Sequence, residues 1–393
     1  MTALELALTR IALGVVAAAA RRLPVRREVL FASSRDRHLG PQLAGIAAAL
    51  LAADPTLPQH QRLAQYGYGL SAKVTYLVHL IGATWAAQRA RVTVIDNAWL
   101  PAHIVGPRKG CSIIQVWHAE GAYKRFGHAT HGESGEADGA LRDLIHRGYS
   151  DALVSSEFVR SAYAEAFQMP LAHVHAVGPL RGAWLTDVAE VTARRAALLL
   201  RYPNLAGKRV LLYAPTFRGR GEHRASQLSI SPESIAAALP SNWIVAVKAH
   251  PLVPLTLRSD ITERCITLDH STPIDELFPI ADALFTDYSS SIFLWSLLER
   301  PLLLAVADAA EYATDPGFFL DPRSSESIGT HVANADDVAA ALSAAERSGS
   351  ADQRAWRTFA ERYLGARNAM SDGPQRAASL ILERLDAQRT NAA

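Results

Sequence analysis

Short apolar runs alternate with longer stretches of helical spacing along most of the chain. This pattern is typical of βαβ units and parallel sheets. In the first half the runs predict strands at residues 28–33, 74–78, 92–96, 112–117, 152–155 and 174–177. In the second half they predict strands at residues 209–214, 243–249, 265–267, 283–287 and 301–306. The intervening stretches, such as 43–53 and 289–299, are rich in Ala and Leu at helical spacing, so we expect an α/β protein with two sheets.

The stretch at residues 185–208 predicts where one domain ends and the next begins. It lacks a strand pattern, has helical spacing, and ends in Pro203 and Asn204 with Gly207 shortly after. We therefore place a boundary near residue 190. The expected domains are an N-terminal helix at residues 1–27, a first domain at residues 28–190, and a second domain with the C-terminal helices at residues 191–393.

A second stretch, residues 127–139, is rich in Gly, His and acidic residues and has no apolar periodicity. It predicts a loop, and loops of this kind often close over binding sites.

The N-terminal residues 4–20 are apolar apart from three positions and precede four arginines between residues 21 and 27. The uninterrupted part, residues 11–20, is too short to span a bilayer, which needs about 20 residues in a helix. A signal peptide is disfavoured because no positive charge excess precedes the apolar run. We expect a helix that either lies on an anionic membrane surface or packs on its own domain.

Composition and net charge limit the class of protein and the kinds of partner to expect. Hydrophobic residues make up 49% of the chain and charged residues 20%, as in an ordinary folded protein. The formal net charge of +2 gives no reason to expect a nucleic-acid partner. Cys111 and Cys265 lie far apart without metal-ligand spacing, so we expect two buried, reduced thiols in a cytosolic protein.

Two histidines directly follow predicted strands, where ligands of open α/β sheets bind. His118 follows the strand at 112–117 beside a basic turn, and His250 follows the strand at 243–249. Histidine is the side chain best suited to accept a proton near neutral pH. A structural histidine that bonds a loop carbonyl is the alternative for each.

A serine run between the strand at 283–287 and the following helix has the features of an anion site. Asp287, Ser289, Ser290 and Ser291 combine hydroxyl groups with the free N–H groups of a helix start. Serines there are also common helix caps, so the pattern alone leaves both roles open. Arg181 and Arg218 each follow a predicted strand and would supply bidentate cations for a phosphate.

Several familiar motifs are missing from the sequence. It contains no P-loop, no G-x-G-x-x-G after a strand and no H-E-x-x-H. No D-x-D metal motif accompanies the predicted phosphate site, which favours phosphate binding by cations and helix dipoles.

Five motifs occur in order along the chain: Gln115-Val116-Trp117-His118 with Gly121 and Lys124; Tyr213-Ala214-Pro215-Thr216-Phe217-Arg218; His250-Pro251; Ala281-Asp282; and Asp287-Tyr288-Ser289-Ser290. Together they resemble the CDP-glycerol:poly(glycerophosphate) glycerophosphotransferase family of teichoic-acid primases and polymerases. Pro301, Asp308, Tyr312, Gly317 and, more weakly, Asn97 extend the resemblance over about residues 28–330.

The resemblance implies a GT-B-like fold, with two Rossmann-like domains whose parallel sheets face a central cleft, and no metal ion or other cofactor. It implies transfer of glycerol phosphate or ribitol phosphate from CDP-glycerol or CDP-ribitol to a hydroxyl of a lipid-linked cell-wall or capsule polymer, with release of CMP. It also implies a cytoplasmic protein, peripheral on the inner face of the cell membrane.

The resemblance further implies a role for each candidate residue. His118 would take the proton of the acceptor. The donor phosphates and nucleotide would be held in the second domain by His250, Arg218, Thr216, Ser289, Ser290 and Asp287, with His250 also catalytic. The acceptor side of the cleft would include Gly121, Lys124, Arg181 and Asn97.

Two departures from the family pattern keep other functions open. Leu294-Trp295 stands where Phe-Asp is common, and Ala305-Val306 stands where an aromatic Tyr is common. The first change removes a carboxylate and leaves the donor undecided. The alternatives are a GT-B sugar-nucleotide glycosyltransferase or epimerase, and a non-catalytic GT-B binding protein.

Overall fold

Two compact units divide the chain in the structure, a computed structural model. The structure describes residues 2–67, 69–131, 141, 143–218, 225–226, 228–249, 263–348 and 353–387. Unit 1 comprises Met1–Arg181, Asp315–Gly317 and Leu364–Ala393, and unit 2 comprises Gly182–Thr314 and Phe318–Tyr363, within the described ranges.

Unit 1 is built on a six-stranded sheet in which every neighbouring pair is parallel. Its strands are β1 (Arg26–Ser33), β2 (Gln59–Leu63), β3 (Ala90–Ile95), β4 (Ser112–Gln115), β5 (Asp151–Val154) and β6 (Val174–Ala176). Their order across the sheet is β2-β1-β3-β4-β5-β6. The central strands are continuous apolar runs because helices cover both faces of a parallel sheet.

The helices of unit 1 lie on both faces of this sheet. They are α1 (Ala3–Ala20), α2 (Pro41–Ala53), α3 (Leu70–Ala87), α4 (Leu100–Ile104), α5 (Arg160–Phe167) and, from the end of the chain, α13 (Gly373–Asp386). Val29 and Phe31 of β1 pack in one core cluster with α2 and α13, whereas Leu30 and Ala32 pack in another with α3. This alternation is the two-residue period of a strand.

Unit 2 contains a second six-stranded parallel sheet. Its strands, in the order β11-β10-β7-β12-β13-β14, are β7 (Arg209–Ala214), β10 (Trp243–Val247), β11 (Cys265–Thr267), β12 (Ala283–Thr286), β13 (Leu302–Leu304) and β14 (Thr330–His331). A separate antiparallel pair consists of β8 (Phe217–Arg218) and β9 (Ala225–Ser226). The helices are α6 (Val188–Arg201), α7 (Pro232–Ala238), α8 (Ile274–Leu277), α9 (Ser291–Trp295), α10 (Ala309–Thr314), α11 (Ala335–Ser348) and α12 (Gln353–Leu364).

The predicted strands agree with the structure except at residues 74–78, which are helical and belong to α3. Their apolar residues match the pattern of a short strand, but Val74 and Val78 share one exposed face of an 18-residue helix, while Tyr76 and Leu80 lie on its buried face. The prediction missed β2 because its sequence, QHQRL, is polar and the strand lies at the sheet edge.

The two units do not follow the predicted domain boundaries. Unit 2 begins at Gly182 rather than near residue 190, and a Cβ atom on Gly182 would lie 3.0 Å from the Leu294 side chain. Helix α13 belongs to unit 1, although residues 191–393 were assigned to the second domain. Its Ala377 and Ile381 pack in the core with α2, and Arg384 donates two hydrogen bonds to Asp151 at 2.9 Å.

Helix α1 is longer than the apolar run from which its length was predicted. Its 18 residues satisfy the length and composition expected of a membrane span, so the prediction that it is too short is wrong. One face of the helix packs on α3, where Leu13 contacts Tyr76 and Leu80. Both cysteines are free thiols as predicted, but Cys111 is only half-buried.

Candidate active site

His118 lies just past the carboxyl end of β4 and is placed there by a sharp turn. Trp117 has a φ of 55°, which is unusual for a residue with a side chain. The Trp117 N–H donates a hydrogen bond to Gln115 Oε1 at 2.8 Å, and the Trp117 ring packs against Phe126 and Phe167. The half-buried His118 ring packs against the Trp117 ring at 4.4 Å between centroids, with an angle of 36° between the ring planes. An unusual backbone held by good packing is typical of a functional position.

The segment after His118 is held by a buried tyrosine. Tyr163 donates its hydroxyl to the carbonyls of Ala119 and Gly121, at 2.9 and 3.0 Å. The Gly121 N–H donates to Ser155 Oγ at 3.2 Å, and Gly121 has a φ of 66°. Burial raises the pKa of Tyr163 far above its ordinary value, so the hydroxyl stays a donor. Lys124 follows as a half-buried residue of the same segment.

Asn97 lies at the same sheet edge as His118, because it follows β3, the strand beside β4. Its carbonyl accepts a hydrogen bond from the Gln115 side chain at 3.1 Å, and its own side chain accepts one from the Ala98 N–H at 2.9 Å. The structure therefore joins Asn97 to the turn that carries His118.

Arg181 belongs to a different part of this edge. The carbonyl of the preceding Leu180 lies 3.3 Å from the position of a Cβ on Gly45 in α2, so the segment after β6 packs on that helix. The charges of Arg181 and Arg35 repel each other. Arg181 is thus placed near the start of α2 rather than beside β4.

In unit 2, Thr216 and Asp287 hold two neighbouring strand ends together. Thr216 follows β7, and Asp287 follows the adjacent β12. The Thr216 N–H donates to Asp287 Oδ1 at 2.9 Å and its hydroxyl donates to Oδ2 at 2.8 Å. Both donors of Thr216 are therefore directed to the buried carboxylate of Asp287.

The serine run begins the short helix α9 as predicted. Ser289 donates its hydroxyl to Ser291 Oγ at 2.8 Å and accepts the Ser291 N–H at 3.3 Å. Ser290 occupies the cap position, and its side chain makes no capping hydrogen bond. Tyr288, in the same segment, donates to Asp308 Oδ1 at 2.6 Å and packs on Tyr312 at 4.2 Å between ring centroids. The motif residues from 287 to 312 therefore form one connected group.

Two of the predicted site residues fall wholly or partly outside the described part of the chain. His250 lies entirely outside the described residues. For Arg218 the structure describes the backbone in β8 but not the side chain. Of the predicted loop at residues 127–139, only the portion up to His131 is described.

Lys248, the residue after β10, is a buried cation to which the sequence analysis gave no role. Its Nζ atom donates to the carbonyls of Ala249 and His270, at 3.3 and 3.1 Å. Burial lowers its pKa to about 8. The signal in the sequence was a lysine at the end of an otherwise apolar strand. Lys248 holds the backbone immediately before His250.

The residues that depart from the family pattern at 294 and 295 belong to the interior. Leu294 and Trp295 are buried, and the Trp295 Nε1–H donates to the Arg300 carbonyl at 3.0 Å. Within the described ranges, no group of three or more His, Cys, Asp or Glu residues is arranged to hold a metal ion.

Comparison with known proteins identifies relatives across nearly the whole chain. The model of the family described as CDP-Glycerol:Poly(glycerophosphate) glycerophosphotransferase matches residues 16–382. A teichoic acid ribitol-phosphate primase of Bacillus spizizenii is 31% identical over 321 residues, which cover 79% of this chain and 82% of the primase. A teichoic acid poly(ribitol-phosphate) polymerase of the same species is 30% identical over 62% of this chain but only 40% of the polymerase.

The fold also has a solved counterpart. A structure of the wall teichoic acid polymerase TagF has a TM-score of 0.77, covers 97% of this chain and 95% of the TagF chain, and is 16% identical in sequence. This likeness, together with the two parallel six-stranded sheets, confirms the predicted GT-B-like class.

Proposed function

Because the chain belongs to the CDP-glycerol:poly(glycerophosphate) glycerophosphotransferase family, we propose that it transfers a polyol phosphate from a CDP-linked donor to a hydroxyl of a lipid-linked wall or capsule polymer, releasing CMP. The observation that carries this proposal is the position of His118, past the end of β4 on a turn braced by Gln115 and Tyr163. Both relatives described above are named for ribitol phosphate, which favours ribitol over glycerol as the polyol.

In the proposed reaction His118 takes the proton of the attacking acceptor hydroxyl. The hydroxyl oxygen bonds to the phosphorus that carries the polyol, and the bond from that phosphorus to the oxygen of CMP breaks. CMP leaves with the electron pair of the broken bond and gains negative charge, which donors in unit 2 must stabilise.

The contacts in unit 2 distinguish residues that hold the site from residues that bind the donor. Both donors of Thr216 point to Asp287, and a carboxylate repels phosphate, so this pair positions the strand ends. Ser290 is the serine of the run whose hydroxyl neither caps α9 nor pairs with Ser291. We assign donor phosphate binding to Ser290 with Ser289, Arg218 and His250, and a positioning role to Asp287 and Thr216.

Unit 1 also presents an apolar surface suited to a membrane, where a lipid-linked acceptor resides. The exposed residues form one stripe on α1 (Leu4, Leu8, Ile11 and Val15) and one on α3 (Leu70, Val74, Val78 and Trp85). Contacts from Lys73 to Glu5 and from Arg21 to Gln88 show that the two helices run in parallel. Arg22 and Arg89 lie where both helices end, next to the place that anionic headgroups would occupy. We name this the α1/α3 surface and propose that it holds the protein on the inner face of the membrane.

A panel of nucleotide-linked donors tests the proposed reaction. CDP-ribitol, CDP-glycerol and UDP-sugars are each incubated with the protein and a polyol-phosphate-primed lipid acceptor, and the released nucleotide is identified. We expect CMP from a CDP-polyol. Release of CDP or UDP would identify a sugar transferase, and donor binding without turnover would identify a binding protein.

Sedimentation with phosphatidylglycerol vesicles tests the α1/α3 surface. Leu8→Ser combined with Val78→Ser should reduce the bound fraction several-fold, since each buried apolar side chain contributes about 1.5–3 kcal/mol. Leu200→Ser is the matched control, because Leu200 is an exposed leucine on α6 of unit 2. Equal binding of all variants would exclude this surface.

A further inference from the structure

Asp96, at the carboxyl end of β3, is a buried carboxylate that is only partly satisfied. Its side chain is 3% exposed. The Ser33 hydroxyl and the backbone N–H of Asp96 itself donate hydrogen bonds to the carboxyl group, whereas Oδ1 is shielded from solvent and has no hydrogen-bond partner in the described part of the chain. A buried carboxylate oxygen without a donor is costly, so its presence calls for an explanation.

Two other buried carboxylates, Asp151 and Asp287, have donors for both of their oxygens. Asp151 is 1% exposed, and hydrogen bonds from Arg384 and His175 hold its pKa below the ordinary value. Asp287 directs one oxygen to the Thr216 N–H and the other to the Thr216 hydroxyl. For Asp96, in contrast, burial raises the pKa to about 6, despite the Ser33 hydroxyl and the charge of Arg35.

The surroundings of Asp96 combine hydroxyl and cationic groups at the start of a helix. Oδ2 lies 3.4 Å from the position of a Cβ on Gly40, the residue that precedes the 13-residue helix α2. No side chain caps that helix start. The charges nearest to the carboxyl group belong to Arg35 and Asp36, both exposed, so Asp96 lies close to the surface of unit 1 although its own atoms are covered.

A second arginine reaches the same region. The segment that ends in Arg181 packs on α2 through the Leu180 carbonyl, and the charges of Arg181 and Arg35 interact. Two guanidinium groups and a helix N-terminus favour a bound anion. The Asp96 carboxylate, which interacts with Arg35, favours a hydroxyl donor and would oppose an anion placed directly on it. The region therefore fits a ligand that carries a phosphate and hydroxyl groups a few ångströms apart.

We propose that Asp96, Arg35 and Arg181 bind the terminal polyol phosphate of the acceptor, and that binding displaces the side chains that cover Asp96 Oδ1, which then accepts a hydrogen bond from one of the polyol hydroxyls. The two arginines hold the phosphodiester of the same terminal unit. This inference rests on the proposed function, and it adds the residues that recognise the acceptor.

The sheet geometry is consistent with this assignment. Ile95 of β3 is paired with Gln115 of β4, so Asp96 and His118 follow adjacent strands at one edge. A hydroxyl held by Asp96 would leave another hydroxyl of the same polyol to approach His118. Asp96 is thus a binding residue for the acceptor, whereas His118 acts on the proton that is lost.

Calorimetric binding of a soluble acceptor mimic tests the proposal without any turnover. The probe is a short-chain alkyl phosphodiester of ribitol phosphate, and a second probe with glycerol phosphate covers the other polyol. For the better-bound probe, Asp96→Asn should weaken binding about 10- to 100-fold, the loss expected for a hydrogen bond to a charged acceptor. Arg35→Gln should weaken it about 10-fold, whereas Arg37→Gln, which removes an exposed charge two residues away, should leave it unchanged.

A set of deoxy analogues of the probe keeps the proposal testable even if Asp96→Asn does not fold. One of the analogues, each lacking a single hydroxyl, should bind the unmodified protein about 10- to 100-fold more weakly than the parent probe does. Where Asp96→Asn folds, the substitution should not weaken the binding of that analogue any further. Unchanged affinity of Asp96→Asn for the parent probe, or equal binding of all analogues, would overturn the proposal. CMP release by such a variant would show that the proposed reaction survives, and absence of CMP release by the unmodified protein would contradict the reaction itself.

Discussion

Replacing Asp96 by Asn should stabilise unit 1 at neutral pH, although it removes a residue that we assign to acceptor binding. The wild-type carboxylate is 3% exposed, and burial raises its pKa from 3.8 to about 6. The folded protein therefore binds the proton of the Asp96 carboxyl group more tightly than the unfolded chain does. Between those two pKa values the free energy of unfolding must fall as the pH rises.

The size of the effect follows from the difference between the two pKa values. One pKa unit corresponds to about 1.4 kcal/mol, so the ionised carboxylate costs about 3 kcal/mol at pH 7.5. At pH 4.5 Asp96 is largely protonated in the folded state, and the remaining cost is about 1 kcal/mol. Asp96→Asn should therefore raise the free energy of unfolding by up to about 3 kcal/mol at pH 7.5 and by about a third of that at pH 4.5.

Urea unfolding followed by pulsed hydrogen exchange measures this effect within unit 1. Peptides from β3 and β4 report the opening of that sheet separately from unit 2. Asp54→Asn is the control, because the Thr56 hydroxyl and Arg27 hold the pKa of Asp54 below its ordinary value. Asp54→Asn should therefore lower the free energy of unfolding at pH 7.5, and the loss should become smaller at low pH.

Two outcomes would refute this reasoning. An equal effect of Asp96→Asn at both pH values would mean that burial of charge is not the cause. A variant less stable than the wild type at pH 7.5 would mean that the carboxylate has a structural partner and contributes to the fold.

Three further substitutions test the framework around the site. Arg384→Met leaves the buried Asp151 carboxylate with fewer donors and should lower the free energy of unfolding, measured by urea titration, by about 2–3 kcal/mol. The control Arg27→Met removes an exposed ion pair and should lower it by less than about 1 kcal/mol. Thr216→Ala should raise the KM for the CDP-linked donor several-fold with a smaller change in kcat, because the freed Asp287 carboxylate repels phosphate, and Thr216→Ser should restore the KM. Gly317→Ala should destabilise unit 1 by about 1–2 kcal/mol, since Gly317 has a φ of 88° and its Cβ would lie 3.0 Å from Arg125 and His131. Gly14→Ala in α1 is the control, because its Cβ would meet no atom within 4 Å. Thermal unfolding should show that this change is neutral or stabilising.

The sequence predicted the sheets best where strands are buried on both faces. Strands such as β7 and β12 are continuous apolar runs, as expected of parallel strands that are buried on both faces. Edge strands carry no such signal, so the polar β2 and the two exposed residues of β14 were missed. Residues 74–78 were mistaken for a strand because a short apolar run has no period of its own.

The site was predicted only as far as strand ends could locate it. The rule that ligands bind beyond the carboxyl ends of parallel strands identified His118, Thr216 and Asp287. It could not indicate that Thr216 and Asp287 bind each other, because their contact joins residues 71 positions apart. Lys248 and Asp96 became candidates only once their burial and partners were known. The packing of α13 in the core of unit 1 depends on contacts with residues far away in the sequence, which the local pattern of apolar residues cannot predict.

The most direct test of the proposed reaction measures the released nucleotide and the mass of the acceptor in the same sample. The account predicts that the protein, given a CDP-polyol and a polyol-phosphate-primed lipid acceptor, releases one CMP for every polyol phosphate added, and that His118→Ala retains donor binding but forms neither product. Release of a nucleoside diphosphate, a mass increase equal to a sugar, or full activity of His118→Ala would contradict it.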